Sequence, residues 1–141
     1  MSGNAIPSIP QLVLPKLKLL DLSKNRIRIL DETTFDKTPA LEKLFLGGNQ
    51  IKLIPVLKLP NVTNLDLTNN FIDAINIDTF SGMPKLKYLW LNGNDKITSI
   101  PENAFKNTEL STIYASANLV ISAKNLEFRS ILGKTIQIRT P

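Results

Sequence analysis

The chain has 141 residues, enough for one domain with a buried core, and a net charge of +5. It contains neither cysteine nor histidine, which excludes disulfides, thiolate metal sites, a cysteine nucleophile and the commonest general base. Its basic residues are spread along the chain, which argues against a nucleic-acid groove, and no apolar run approaches the ~18–20 residues of a membrane span.

In chain order, Met1-Ser2-Gly3-Asn4 lacks the charged region and apolar run of a secretory signal. Asn4-Ala5-Ile6-Pro7-Ser8-Ile9-Pro10 repeats the pattern of Asn49-Gln50-Ile51-Lys52-Leu53-Ile54-Pro55, so the chain opens part-way through a repeating unit. The first full frame is Leu17, Leu20, Leu22, Asn25, Ile27 and Leu30. It returns at Leu41, Leu44, Leu46, Asn49, Ile51 and Ile54, and again at Val62, Leu65, Leu67, Asn70, Ile72 and Ile75. A fourth copy is Leu86, Leu89, Leu91 and Asn94, with Ile97 and Ile100 displaced by one inserted residue. A weaker fifth is Leu110, Ile113, Ala115, Asn118 and Val120. A second column runs in step, because Phe35, Phe80, Phe105 and Phe128 fall about ten residues past a frame asparagine. Phe128 is followed eight residues later by Ile136, as Phe105 is by Ile113, which predicts a sixth strand ending the chain.

Each L-x-L core predicts a short strand with two apolar residues inward and their neighbours outward. The expected strands are 18–22, 42–46, 63–67, 87–91, 111–115 and 135–139, in a single unit covering 1–141. The chain then turns back and returns one strand further on, so buried aliphatics of successive units form one continuous core, plugged on the far side by the phenylalanines. Asn25, Asn49, Asn70, Asn94 and Asn118 stand where the chain leaves each strand. Their amides are expected to satisfy turn backbone groups that regular structure leaves unpaired.

These repeats resemble the leucine-rich-repeat family over nearly the whole chain. The resemblance implies an α/β fold: a right-handed solenoid with a parallel β-sheet on its concave face and loops or short 3-10 or helical turns on the convex side. Successive frame asparagines lie 21 or 24 residues apart. The mixture of short and long units resembles the extracellular members, namely small leucine-rich proteoglycans and Toll-like receptor ectodomains. Such proteins carry cysteine-rich caps, which this chain lacks, so it is expected to be a segment of a longer solenoid or to cover an end by self-association.

The frame also assigns the outward positions of the sheet. Position three gives Leu19, Lys43, Asn64, Tyr88, Thr112 and Thr135; position five gives Asp21, Phe45, Asp66, Trp90, Tyr114 and Gln137. Position seven gives Ser23, Gly47, Thr68, Asn92, Ser116 and Arg139, mostly small residues expected to leave room above the aromatics. The single tryptophan and both tyrosines fall in this set. Lys43, Phe45, Asn64, Asp66, Tyr88, Trp90, Asn92, Thr112 and Tyr114 therefore form the candidate partner-binding face. The competing reading is that the rings only pair across strands and stiffen the sheet.

A second candidate is a basic edge of Lys24, Arg26, Arg28 and Lys52, suited to a sulfated glycan or an acidic protein. Asn61-Val62-Thr63 is the one glycosylation sequon. No base is present to activate a hydroxyl, and there is no phosphate-cradling glycine loop, so no enzyme activity, metal or cofactor is expected. The expected function is protein recognition on the concave sheet as part of an extracellular or cell-surface protein. The alternative is a matrix component that self-associates or binds anionic glycan; a cysteine-free chain suits the cytoplasm equally.

Overall fold

In the computed structural model the described residues are 2–101, 103–116 and, as backbone, 137–139. Six three-residue strands follow one another: β1 Leu19–Asp21, β2 Lys43–Phe45, β3 Asn64–Asp66, β4 Tyr88–Trp90, β5 Thr112–Tyr114 and β6 Gln137–Arg139. They form one sheet in the order β1-β2-β3-β4-β5-β6, every neighbouring pair parallel. A parallel sheet in strict sequence order requires each connection to cross behind the sheet and return beside its own strand. That is a solenoid.

The frame leucines make the core. Leu20, Leu44, Leu65, Leu89 and Ile113 stand opposite one another in register and are all buried. Leu22, Leu46, Leu67 and Leu91 form a second buried column, and Ile27, Ile51, Ile72 and Ile97 a third. On the convex side Phe35, Phe80 and Phe105 are buried, and the rings of Phe80 and Phe105 stack with centroids 5.0 Å apart. The short unit has no phenylalanine, and its buried Leu57 and Leu59 occupy that layer instead. They bring the backbone so close to the next unit that a Cβ at Gly82 would collide with the Leu57 carbonyl.

The described convex segments contain no helix. They are chains of turns with an N–H donating to the carbonyl three residues back, as in Thr34 to Asp31, Thr38 to Phe35 and Leu41 to Thr38. The same sequence recurs at Thr79 to Asn76, Met83 to Phe80 and Leu86 to Met83. Three-residue hydrogen-bonded turns fit a connection of this length, where an α-helix would need more residues to close.

The sixth strand needs a correction. Pairing sets Gln137 opposite Thr112 and Arg139 opposite Tyr114, so Gln137 holds position three and Arg139 position five. The spacing from Phe128 had placed Thr135 and Gln137 there. A shift of two residues keeps the alternation of the strand unchanged, so an apolar pattern of period two cannot tell the two registers apart.

Candidate partner-binding surface

The asparagines create the turn that frames the face. Asn49 Nδ2 donates to the Leu46 carbonyl at 2.8 Å and the Leu22 carbonyl at 3.0 Å, while its Oδ1 accepts from Ile27 N–H at 3.1 Å. Asn70 repeats this with Leu67, Leu46 and Ile51, and Asn94 with Leu91, Leu67 and Ile72. Asn25 does the same at the first turn, donating to Leu22 and accepting from Ile6. The Leu22, Leu46 and Leu67 carbonyls thus each serve two asparagines, and each of the four asparagines ties its own unit to the one before. All four are buried, which leaves them no surface for a ligand. Asn118 lies outside the described residues.

One feature of this turn is not visible in the leucine frame. The residue before each described asparagine of the frame, from Asn4 to Asn94, has a positive φ: Gly3, Lys24, Gly48, Asn69 and Gly93, with φ between 50° and 76°. Glycine at 48 and 93 takes this conformation without steric cost, and lysine and asparagine at the equivalent positions show that the turn is imposed by the frame.

On the sheet itself, Tyr88, Trp90 and Tyr114 are brought together. The Trp90 and Tyr114 rings stack with centroids 5.3 Å apart and planes 2° from parallel. Tyr88 lies 6.2 Å from Trp90 on the same strand, tilted by 30°. Register makes the stack possible, because Trp90 and Tyr114 occupy the same position of adjacent parallel strands. Tyr88 is 40 % exposed, and the other two rings are half-exposed. Phe45 is half-buried and stands apart, since Asp66 separates it from Trp90 in register.

Asp66 is held by its own strand, its Oδ1 accepting from Thr68 N–H at 2.8 Å. Asp21 makes the same bond to Ser23 at 2.9 Å. That backbone N–H, followed by the Ser23 side chain, holds the Asp21 carboxyl below the usual aspartate range. Lys43 and Asn64 are respectively exposed and half-exposed beside these acids, and Asn92 is half-buried. Two expected members of the face differ. Thr112 is only 9 % exposed, a short side chain with Tyr88 in register on one side and β6 on the other. Gly47 does not leave open room, since a Cβ there would stand 2.6 Å from Thr68 Oγ1 and 3.1 Å from Asp66 Oδ2.

The flanking charges are paired: Lys18 with Glu42 at 2.9 Å, Lys87 with Glu109 at 3.4 Å and Lys96 with Asp73 at 3.2 Å. Exposed pairs of this kind contribute about 0–1 kcal/mol each, so they set local charge more than stability. Asn61 of the sequon is half-buried; its Nδ2 donates to the Pro39 carbonyl at 2.9 Å and its Oδ1 accepts from Lys85 at 2.7 Å. Lys24, Arg26, Arg28 and Lys52 are all exposed on the flank where the chain leaves the sheet. Between them stand Ile29, Leu53 and Phe71, exposed apolar residues that make this edge more than a basic strip.

A family model described as "Leucine rich repeat" matches residues 3–51 and 60–120, and a second, "Leucine Rich repeats (2 copies)", matches 39–79. The chain belongs to the leucine-rich-repeat family. Leucine-rich repeats are recognition scaffolds that typically bind proteins. A search of curated proteins found no match to this chain. Among the described residues no helix is long and apolar enough to cross a membrane, and no group of acidic residues is placed to hold a metal ion.

Proposed function

We propose that this leucine-rich-repeat chain recognises a protein partner on its concave sheet, with Tyr88, Trp90 and Tyr114 as the anchor. The observation that carries this reading is the ring stack itself. Three aromatic residues meet on an outward face where the fold does not need them, since the core is already closed by leucines beneath. Rigid aromatic groups with polar tips are the side chains that most often dominate binding energy at protein interfaces.

The charge around the stack favours a basic contact group. Over β1 to β5, Asp21 and Asp66 face outward with Lys43 as the one basic residue at positions three, five and seven, whereas the whole chain carries +5. A partner arginine lying over Trp90 would gain a cation–π contact and reach the Asp66 carboxylate, which its own strand engages through Oδ1. Lys43, Asn64 and Asn92 would provide the polar margin. An extracellular or cell-surface setting is part of the same reading and rests on the mixed unit lengths.

The test is binding to a captured partner by Trp90→Ala, Tyr114→Ala and, as a convex control, Lys58→Ala. The ring variants should weaken binding by about 2 kcal/mol or more, roughly thirtyfold, with unchanged circular dichroism. Equal affinity in all three proteins contradicts the proposal.

A further inference from the structure

The flank where the chain leaves the sheet carries a second surface, separate from the aromatic stack. Ile29, Leu53 and Phe71 are 74 %, 58 % and 56 % exposed, among the most exposed large apolar side chains of the described residues. Together with Arg28, Gln50 and Lys52 they line one groove of about 670 Å³. These residues come from three successive units, so the groove runs along the solenoid axis.

Its charge is one-sided. Arg28 and Lys52 stand on the groove, and Lys24 and Arg26 lie just before it in the chain. None of the ion pairs among the described residues involves these four, and the Arg28 Nε donates to the neutral Gln50 Oε1 at 2.9 Å. An apolar floor beside uncompensated basic groups fits a partner that presents apolar and acidic side chains together.

The backbone decides the form of that partner. Along this flank Gln50 N–H donates to the Ile27 carbonyl at 2.8 Å, Phe71 N–H to Ile51 at 2.9 Å and Asp73 N–H to Lys52 at 3.2 Å. Main-chain groups are thus engaged between units, and an added strand would find few partners. The grip must come from side chains. Three units spaced ~4.8 Å apart span about 10 Å, which equals the ~10 Å rise of seven residues of α-helix. A helix with apolar residues at i, i+4 and i+7 therefore matches Ile29, Leu53 and Phe71 in step.

We propose that this groove docks an acidic amphipathic helix of a partner protein, its apolar stripe on Ile29, Leu53 and Phe71 and its carboxylates on Arg28 and Lys52. A sulfated glycan would satisfy the bases but set hydroxyls against the apolar floor. A lipid surface would need these side chains on a protrusion, and they line a recess.

The probe is a synthetic helical peptide of about 16 residues with leucines at i, i+4, i+7 and i+11 and flanking glutamates. Comparison ligands are a scramble of the same composition, a heparin fragment and vesicles of phosphatidylcholine and phosphatidylserine. Backbone amide shifts in the full chain should move at Ile29, Leu53 and Phe71, with the β4–β5 stack unaffected. Arg28→Glu with Lys52→Glu should weaken the peptide about tenfold or more, as should Ile29→Gln with Leu53→Gln, while Lys37→Glu should not. All these side chains are exposed, and circular dichroism checks that each variant is folded. Equal binding of the scramble, equal binding by the charge-reversed protein, or binding by heparin or vesicles alone overturns the proposal.

Discussion

Replacing Asn70 by alanine tests whether the asparagine ladder holds adjacent units together. The amide donates to Leu46 and Leu67 at 3.0 and 3.1 Å and accepts from Ile51 N–H at 3.0 Å, in a buried position. The two carbonyls keep their bonds to Asn49 and Asn94, so alanine leaves one group fully orphaned, the Ile51 N–H. An orphaned buried donor costs about 1–3 kcal/mol, and the lost bonds to Leu46 and Leu67 add about 0.5–1.5 kcal/mol each. Asn70→Ala should therefore destabilise the chain by about 3 kcal/mol. Asn25→Ala should cost about half as much, because the donor it orphans is Ile6 N–H, in a half-buried segment that water reaches. Urea unfolding followed by circular dichroism measures both. Losses below about 1 kcal/mol, or equal losses at the two sites, would refute the reasoning. Asn70→Asp adds a sign: the new carboxyl would face two carbonyl oxygens, raising its folded pKa above the unfolded value near 3.9. Stability of that variant is then best below pH ~4 and falls as pH rises through the raised folded pKa.

Thr34 Oγ1 is buried without a hydrogen-bond partner, and the same position three units on is Ala104, also buried. Thr34→Val should raise stability by about 1 kcal/mol in urea unfolding, and a loss would mean the hydroxyl is satisfied. Asp21 has its folded pKa depressed by Ser23 N–H, so its contribution is present above the unfolded pKa and lost as pH falls through the folded one. Asp21→Asn should thus flatten the acid limb of the stability profile below pH ~4, and an unchanged limb contradicts the assignment.

The fold was legible because one constraint repeats. A leucine pair that alternates inward, an asparagine that ends the strand and a phenylalanine behind it fix strand, turn and core at once, and Leu20, Leu44, Leu65 and Leu89 are opposed in register as that pattern requires. The register of β6 was not legible, because the distance from Phe128 is free to vary with loop length and alternation is blind to a two-residue shift. At the candidate site, parity alone placed Tyr88, Trp90 and Tyr114 on one face. Crowding was hidden: the burial of Thr112 and the filling of the space over Gly47 depend on neighbours in adjacent units. The groove at Ile29, Leu53 and Phe71 was masked for a similar reason. Phe71 follows its frame asparagine directly, whereas Ile29 and Leu53 come four residues after theirs, so no single frame position collects all three.

Trp90 is the sole tryptophan, so its emission reports on the concave stack alone. If this surface is where a partner protein sits, titrating the partner should shift that emission to shorter wavelength and protect it from iodide quenching. Emission and quenching that stay constant at saturating partner would place the contact elsewhere on the molecule.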